Sequence, residues 1–303
     1  MIYVDNLHKQ YGRVEALSGL TFSVNEGEIY GIIGPDGAGK TSLFRILATL
    51  LLPDGGRAEV DGLDVVRDCR ELRRRIGYMP GRFSLYQDLT VEENLRFFAS
   101  VFNTSIDENY SLIKDVYCRL EPFKARRAGK LSGGMKQKLA LCCALIHAPR
   151  VLLLDEPTTG VDPVSRREFW QMLQRIRSSH GITVLVSTPY MDEASWCDRI
   201  SLAQNGCLLQ TGTPGEICES CSARLFAVRS DDMHRLLNDL KECACVTTSF
   251  SFGDSMHVTL DEAAASHTLW EYLQRRGHTG IEVKGIRPSV EDCFMSLMKG
   301  QTV

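Results

Sequence analysis

Residues 34–41 read Gly-Pro-Asp-Gly-Ala-Gly-Lys-Thr, which sets Gly34, Gly39, Lys40 and Thr41 at the spacing G-x-x-x-x-G-K-[ST]. Glycines at these places let backbone N–H groups turn inward around phosphate oxygens. A helix opening directly afterwards presents its positive N-terminal end to the same oxygens. In such a loop Gly34, Pro35, Asp36, Gly37, Ala38, Gly39 and Ser42 form the phosphate cradle, Lys40 reaches the β and γ phosphates, and the Thr41 hydroxyl can ligate Mg²⁺. Far downstream, Val151-Leu-Leu-Leu154 is an apolar run that delivers two adjacent carboxylates, Asp155 and Glu156. Asp155 suits Mg²⁺, directly or through water, and Glu156 suits a general base that orients and deprotonates a water. An apolar run ending in two acids carries little information alone. Paired with the glycine loop it points to chemistry on a nucleoside triphosphate.

These groups need elements to hold them. Glu28-Ile-Tyr-Gly-Ile-Ile33 is an apolar run ending in the glycine turn, and Leu43, Phe44, Ile46, Leu47 and Leu50 follow at helical spacing. Strand, glycine loop and helix are the context this motif requires. Further strands are expected at Ile2-Tyr-Val4, Phe22-Ser-Val24, Val151–Leu154 and Ile182–Val186, with helices over about 91–147 and 165–178. Thr90 followed by Glu93 reads as a capped helix start. Alternating strands and helices with continuously apolar strands imply an α/β fold around a parallel, doubly wound sheet. After Gly212-Thr-Pro-Gly215 the texture changes to short strands near 225–229 and 257–260 between helical patterns at 233–241 and 263–277. Two domains are therefore expected, a large one over 1–212 and a small α+β one over 213–303.

Composition narrows the classes. The formal charge is -3 over 303 residues, which argues against a nucleic-acid surface. The local runs Arg73-Arg74-Arg75 and Lys124-Ala-Arg-Arg127 fall on helical patterns and read as solvated faces. Apolar runs stay well short of the ~20 residues a membrane-spanning helix needs, and residues 1–6 show no secretory leader, so a membrane role is expected to come through a partner. Eleven cysteines in a leaderless chain read as reduced thiols. Cys218, Cys221, Cys243 and Cys245 are the one grouping that suggests a metal, but the second pair is C-x-C rather than C-x-x-C, and buried or incidental thiols are the better reading.

Together with Leu131-Ser132-Gly133-Gly134-Met135 at the start of an apparent helix, these motifs closely resemble those of the ATP-binding cassette (ABC) family over about residues 1–212. The resemblance implies a P-loop ATPase core with N-terminal antiparallel strands and a helical subdomain over about 82–148, binding ATP and Mg²⁺. It implies that Tyr11 stacks on adenine. It implies also that Ser132, Gly133 and Gly134 close over the γ-phosphate held by the opposite subunit of a head-to-tail dimer, and that Asp162 belongs to the loop linking the two sites. Arg287-Pro-Ser-Val-Glu-Asp292-Cys-Phe294 is similar to the segment that ends the small C-terminal domain of drug- and ion-exporting members, which pair with separate ABC-2 type membrane subunits. The implied partners are thus a membrane-spanning permease and a second ABC ATPase subunit, at the cytoplasmic face of the cell membrane. Phe83, Leu85 and Tyr86 would then lie in the groove that receives a permease helix. Soluble members acting on ribosomes or DNA fit less well, since those usually carry two cassettes or a long inserted coiled coil. A nucleotide-gated regulatory subunit stays open.

Two positions depart from the family pattern. Gly81 follows Tyr78-Met-Pro80 where the family usually has glutamine, and Gln87 offers no sequence reason to substitute for it. Pro189 follows Ser187-Thr188 where the family has histidine. Proline brings neither imidazole nor backbone N–H, and losing one preorganised donor to a developing oxyanion costs ~10²–10³ in rate. Thr188 or a water is the alternative donor. Both losses fall on the site built on this chain's own loop, whereas Ser132-Gly-Gly134 is intact. The pattern fits an asymmetric heterodimer with a sluggish own site, or a homodimer with modified sites.

Overall fold

The computed structural model describes residues 1–221, 224–261 and 265–299. It divides into two compact units, Met1–Thr213 and Pro214–Val303.

In chain order the first unit contains β1 (Ile2–Tyr11), β2 (Val14–Val24), β3 (Ile29–Ile33), α1 (Lys40–Leu47), β4 (Gly55–Val60), β5 (Leu63–Asp64), α2 (Cys69–Arg75) and β6 (Ile76–Met79). Then come α3 (Val91–Val101), α4 (Tyr110–Tyr117), α5 (Gly133–Leu145), β7 (Val151–Asp155), α6 (Pro163–His180), β8 (Thr183–Thr188), β9 (Arg199–Gln204) and β10 (Cys207–Gly212). One sheet has the order β2-β1-β4-β5 and is antiparallel throughout. The other has the order β10-β9-β3-β8-β7-β6, with β9, β3, β8, β7 and β6 parallel and β10 antiparallel on the edge. Strands β3, β7 and β8 are buried at every position, as expected where both faces of a parallel sheet are covered. The main core joins the two sheets through Val4, Leu7, Leu20, Tyr30, Phe44 and Leu47.

The single helical stretch expected over 91–147 is three helices. α3 starts at a full capping box: the Thr90 hydroxyl accepts from Glu93 N at 3.2 Å and Thr90 N donates to Glu93 Oε2 at 2.7 Å. It ends at Val101, and Asn103 turns with a left-handed φ of 55°. α5 opens at Ser132, whose hydroxyl accepts from Met135 N at 3.4 Å. α3 and α4 each bury one face, whereas α5 is buried almost all round over residues 139–145, and the polar segments 102–109 and 118–132 separate them.

The second unit opens with α7 (Pro214–Ser220) and continues β11 (Leu225–Arg229), α8 (Met233–Glu242), β12 (Val246–Phe252), β13 (Ser255–Leu260), α9 (Ser266–Arg275), β14 (Glu282–Gly285) and α10 (Val290–Lys299). Its antiparallel sheet has the order β12-β13-β11-β14, the ferredoxin-like βαββαβ arrangement. Val228, Leu236, Leu240, Met256, Val258, Leu269 and Leu273 form a core of its own. Positions 263 and 264 of the expected helix 263–277 lie outside the described residues. Cys243 and Cys245 bring their sulfurs within 3.0 Å. Among the described residues no three metal-ligating side chains are arranged around a common point.

Candidate nucleotide site

The parallel sheet explains how residues so far apart in sequence meet. Ile33 pairs with Thr188, Asp155 with Ser187 and Met79 with Leu154, so the C-terminal ends of β3, β8, β7 and β6 lie side by side. The glycine loop, Pro189, the acidic pair and Gly81 are each delivered at that edge, where ligands bind in open α/β sheets.

The loop leaves β3 at Gly34 and enters α1 at Lys40, with Gly39 as N-cap at φ 91°. A Cβ on Gly39 would lie 2.2 Å from Ala16 O, and one on Gly34 would lie 2.0 Å from Ala203 O. Only glycine fits either position, for close packing and, at Gly39, for the left-handed backbone. Lys40 is 4% exposed. Its Nζ donates to Gly34 O at 2.7 Å and Pro35 O at 2.9 Å, and stands 3.1 Å from Glu156 Oε1. Thr41 Oγ1 donates to Asp155 Oδ1 at 3.3 Å. A cavity of about 370 Å³ is walled by Ala16, Asp36 to Ser42 and Glu156. Tyr11, at the end of β1, is 45% exposed, and its hydroxyl lies 3.3 Å from the Ser42 hydroxyl on that wall.

Asp155 is 2% exposed and also accepts from Ser187 Oγ at 2.7 Å. Burial pushes its pKa up, opposed by the hydrogen bonds from Ser187 and Thr41, while neighbouring Glu156 adds to the rise. A divalent cation beside this carboxylate reverses that bias. Thr41 and Asp155 present hydroxyl and carboxylate oxygens next to each other at a helix N-terminus, a donor set that fits Mg²⁺. Ser187 has no motif to mark it. Its contribution comes from its register opposite Asp155, and its carbonyl and hydroxyl also accept from Glu156 N at 3.1 Å and 3.0 Å.

Gly81 sits against the acidic pair: a Cβ there would be 3.1 Å from Asp155 O and 3.7 Å from Glu156 Cβ. Gln87 lies elsewhere, its carbonyl accepting from Gly129 N at 2.9 Å. Beside Pro189, Thr188 Oγ1 donates to Glu193 Oε2 at 2.5 Å and accepts from Tyr190 N at 3.1 Å. The Thr188 proton is therefore committed within the protein, which removes Thr188 as the alternative donor. Ser132, Gly133 and Gly134 form no part of the cavity wall. Asp162 caps α6, its Oδ1 accepting from Ser165 N at 2.9 Å.

A family profile described as "ABC transporter" matches residues 17–159, which contain the loop, the Ser132–Gly134 turn and the acidic pair. The Nod factor export ATP-binding protein I of Burkholderia lata is 39% identical over 96% of this chain and 95% of its own length. The chain belongs to the ABC transporter family. The probable multidrug ABC transporter ATP-binding protein YbhF of Escherichia coli is 38% identical over 99% of this chain but only 52% of its own length, so the chain spans about half of that relative. The dimeric structure of a bacterial ABC transporter cassette superimposes with a TM-score of 0.64 at 28% identity, covering 70% of this chain and 98% of the cassette. This ABC chain thus carries the family's fold, with a glycine and a proline at two edges of its phosphate site.

A second cavity, of about 350 Å³, lies in the first unit between β6 and the helical subdomain. Its wall is mostly apolar and includes Met79, Leu85, Phe98, Val101, Phe102 and His147. Leu85 belongs to this wall, whereas Tyr86 packs edge-on against Phe97 and Lys136 lies over the Phe83 ring. No helix among the described residues is long and apolar enough to cross a membrane.

Proposed function

We propose that this chain is the ATP-binding subunit of an exporter, working at the cytoplasmic face of a membrane with a separate permease and a second ABC ATPase subunit. The observation that carries the reading is the convergence of Lys40, Thr41 and Glu156 on one cavity at the sheet edge, with Asp155 hydrogen-bonded to Thr41. Gly34 to Gly39 and Lys40 bind the phosphates and Tyr11 packs on the adenine. Thr41 and Asp155 would hold Mg²⁺, which when bound offsets charge on the β and γ phosphates. Phosphate oxygens compete with Glu156 for the Lys40 ammonium. Glu156 is then released to take the proton of the attacking water. The second cavity receives an apolar permease segment.

Turnover at this chain's own site is slow in this reading. Gly81 has no side chain to place a water, Pro189 has no donor, and the Thr188 proton is taken by Glu193. Ser132, Gly133 and Gly134 instead complete the site of the second subunit in a head-to-tail dimer; a cassette of the same fold is dimeric, which supports pairing of two such subunits. The same two positions favour one other reading, a subunit that binds ATP to regulate its partner. Phosphate release by the purified chain with Mg-ATP is the test. Slow hydrolysis abolished by Glu156→Gln is expected. Brisk hydrolysis abolished by that substitution would overturn the slow site, and no nucleotide binding at all would overturn the whole reading.

A further inference from the structure

Glu193 is a buried carboxylate that the phosphate site does not use. It lies on the short 3-10 turn Met191–Trp196 after β8 and is 2% exposed. A carboxylate is costly to bury unless its oxygens are paired. Here Oε1 accepts from Thr158 Oγ1 at 2.8 Å, Oε2 accepts from Thr188 Oγ1 at 2.5 Å, and Arg166 Nη1 stands 4.0 Å from Oε1. Thr158 and Thr188 are themselves buried. The three partners come from three segments: the turn after β7, the end of β8 and the first turns of α6.

Thr158 is two residues past Glu156, and Glu156 has a backbone φ of 50°. A side chain longer than glycine, asparagine or aspartate adopts that region under strain, and such strain persists only where the surroundings over-determine it. On one side Glu156 N is fixed by the Ser187 carbonyl and hydroxyl. On the other, Thr159 N donates to Glu156 O at 3.2 Å and the Thr158 hydroxyl is anchored on Glu193. The geometry points to Glu193 as a positioning residue for ATP hydrolysis: through Thr158 it clamps the turn that carries Glu156 against the end of β8, keeping the Glu156 carboxylate aimed at the phosphate cavity. Arg166 widens the clamp, since it stacks over the Tyr190 ring at 4.3 Å and lies 3.6 Å from Asp192. Arg166 is one helical turn beyond the cap Asp162, so the start of α6 and the Pro189 segment are fixed to the same carboxylate.

The inference rests on the reading of Glu156 as the general base, and its test separates the two. Thr158→Val removes the hydroxyl at nearly constant volume, Thr158→Ser keeps it, and Glu193→Ala removes both acceptors. At saturating Mg-ATP, Thr158→Val and Glu193→Ala should lower kcat by about a hundredfold, the scale of a small misplacement of a reacting group. KM for ATP should stay within about threefold, as for a group acting on the chemical step alone, and Thr158→Ser should retain the wild-type kcat. A crystal structure of Thr158→Val should show Glu156 relaxed out of its positive-φ conformation. Wild-type kcat in Thr158→Val, or a structure in which Glu156 keeps that conformation, overturns the clamp. If Glu193→Ala does not fold, Thr158→Val carries the test by itself. Hydrolysis that survives Glu156→Gln would instead remove Glu156 as the base, and the crystal structure would still decide whether Glu193 holds the turn.

Discussion

Pro189→His is the most direct perturbation of the slow-site reading. Thr188 O accepts from Gly34 N at 3.2 Å, so position 189 adjoins the first residue of the phosphate loop. The segment 188–190 offers that loop little: the Thr188 proton goes to Glu193, the Tyr190 N–H goes to Thr188, and Pro189 has no N–H. Histidine adds an imidazole donor and restores a backbone N–H at the same place. One preorganised donor to developing charge is worth ~10²–10³ in rate, about 2.7–4 kcal/mol of barrier. Because Gly81 is unchanged, a gain of about a hundredfold, the lower end of that range, is expected. Gly81→Gln should add less, since its Cβ would meet Asp155 O at 3.1 Å and the backbone there must shift by a few tenths of an ångström. The assay is steady-state phosphate release at saturating Mg-ATP, with Glu156→Gln introduced into each background as the blank. A Pro189→His protein no faster than the wild type would refute the reasoning that a missing donor limits this site.

Other outcomes follow from the same geometry. Lys40→Ala removes the cation 3.1 Å from Glu156 and should weaken Mg-ATP binding by more than tenfold in calorimetry, about 1.4 kcal/mol or more; unchanged affinity would displace Lys40 from the phosphate site. Ser132→Ala removes the α5 cap and should cost about 1 kcal/mol in denaturant unfolding while leaving this chain's own ATP affinity unchanged. A drop in own-site affinity would place the Ser132 turn in this chain's site rather than a partner's. Burial holds the His147 pKa below its ordinary value, against the hydrogen bond to the Ile76 carbonyl. The unfolded chain therefore takes up a proton near pH ~6.5 that the folded chain refuses. Stability present above that pH is lost as pH falls through it toward the folded value. The Tm of the wild type should drop more steeply between pH 7.5 and 5.5 than that of His147→Phe, and parallel curves would refute this assignment.

Local sequence carried much of this molecule. The glycine loop is legible because its chemistry is backbone chemistry: Gly39 needs a left-handed φ and Gly34 needs room against Ala203, and both requirements are written in residue type. The Thr90–Glu93 capping box and the buried strand Val151–Asp155 are local in the same way, set by one side chain reaching its own helix and by one apolar run. What pairs across the sheet is not local. Ser187 serves Asp155 only because β7 and β8 lie in a register that sets the two opposite each other, and no spacing in the chain encodes that register. The fate of Thr188 is likewise tertiary. Its sequence position made it a candidate donor, and the fold assigned its proton to Glu193, a carboxylate whose burial depends on three separate segments closing around it. Sequence by itself determined that a triphosphate can be held here. The packing of β8 against its neighbours decided which hydroxyls were left to act on it.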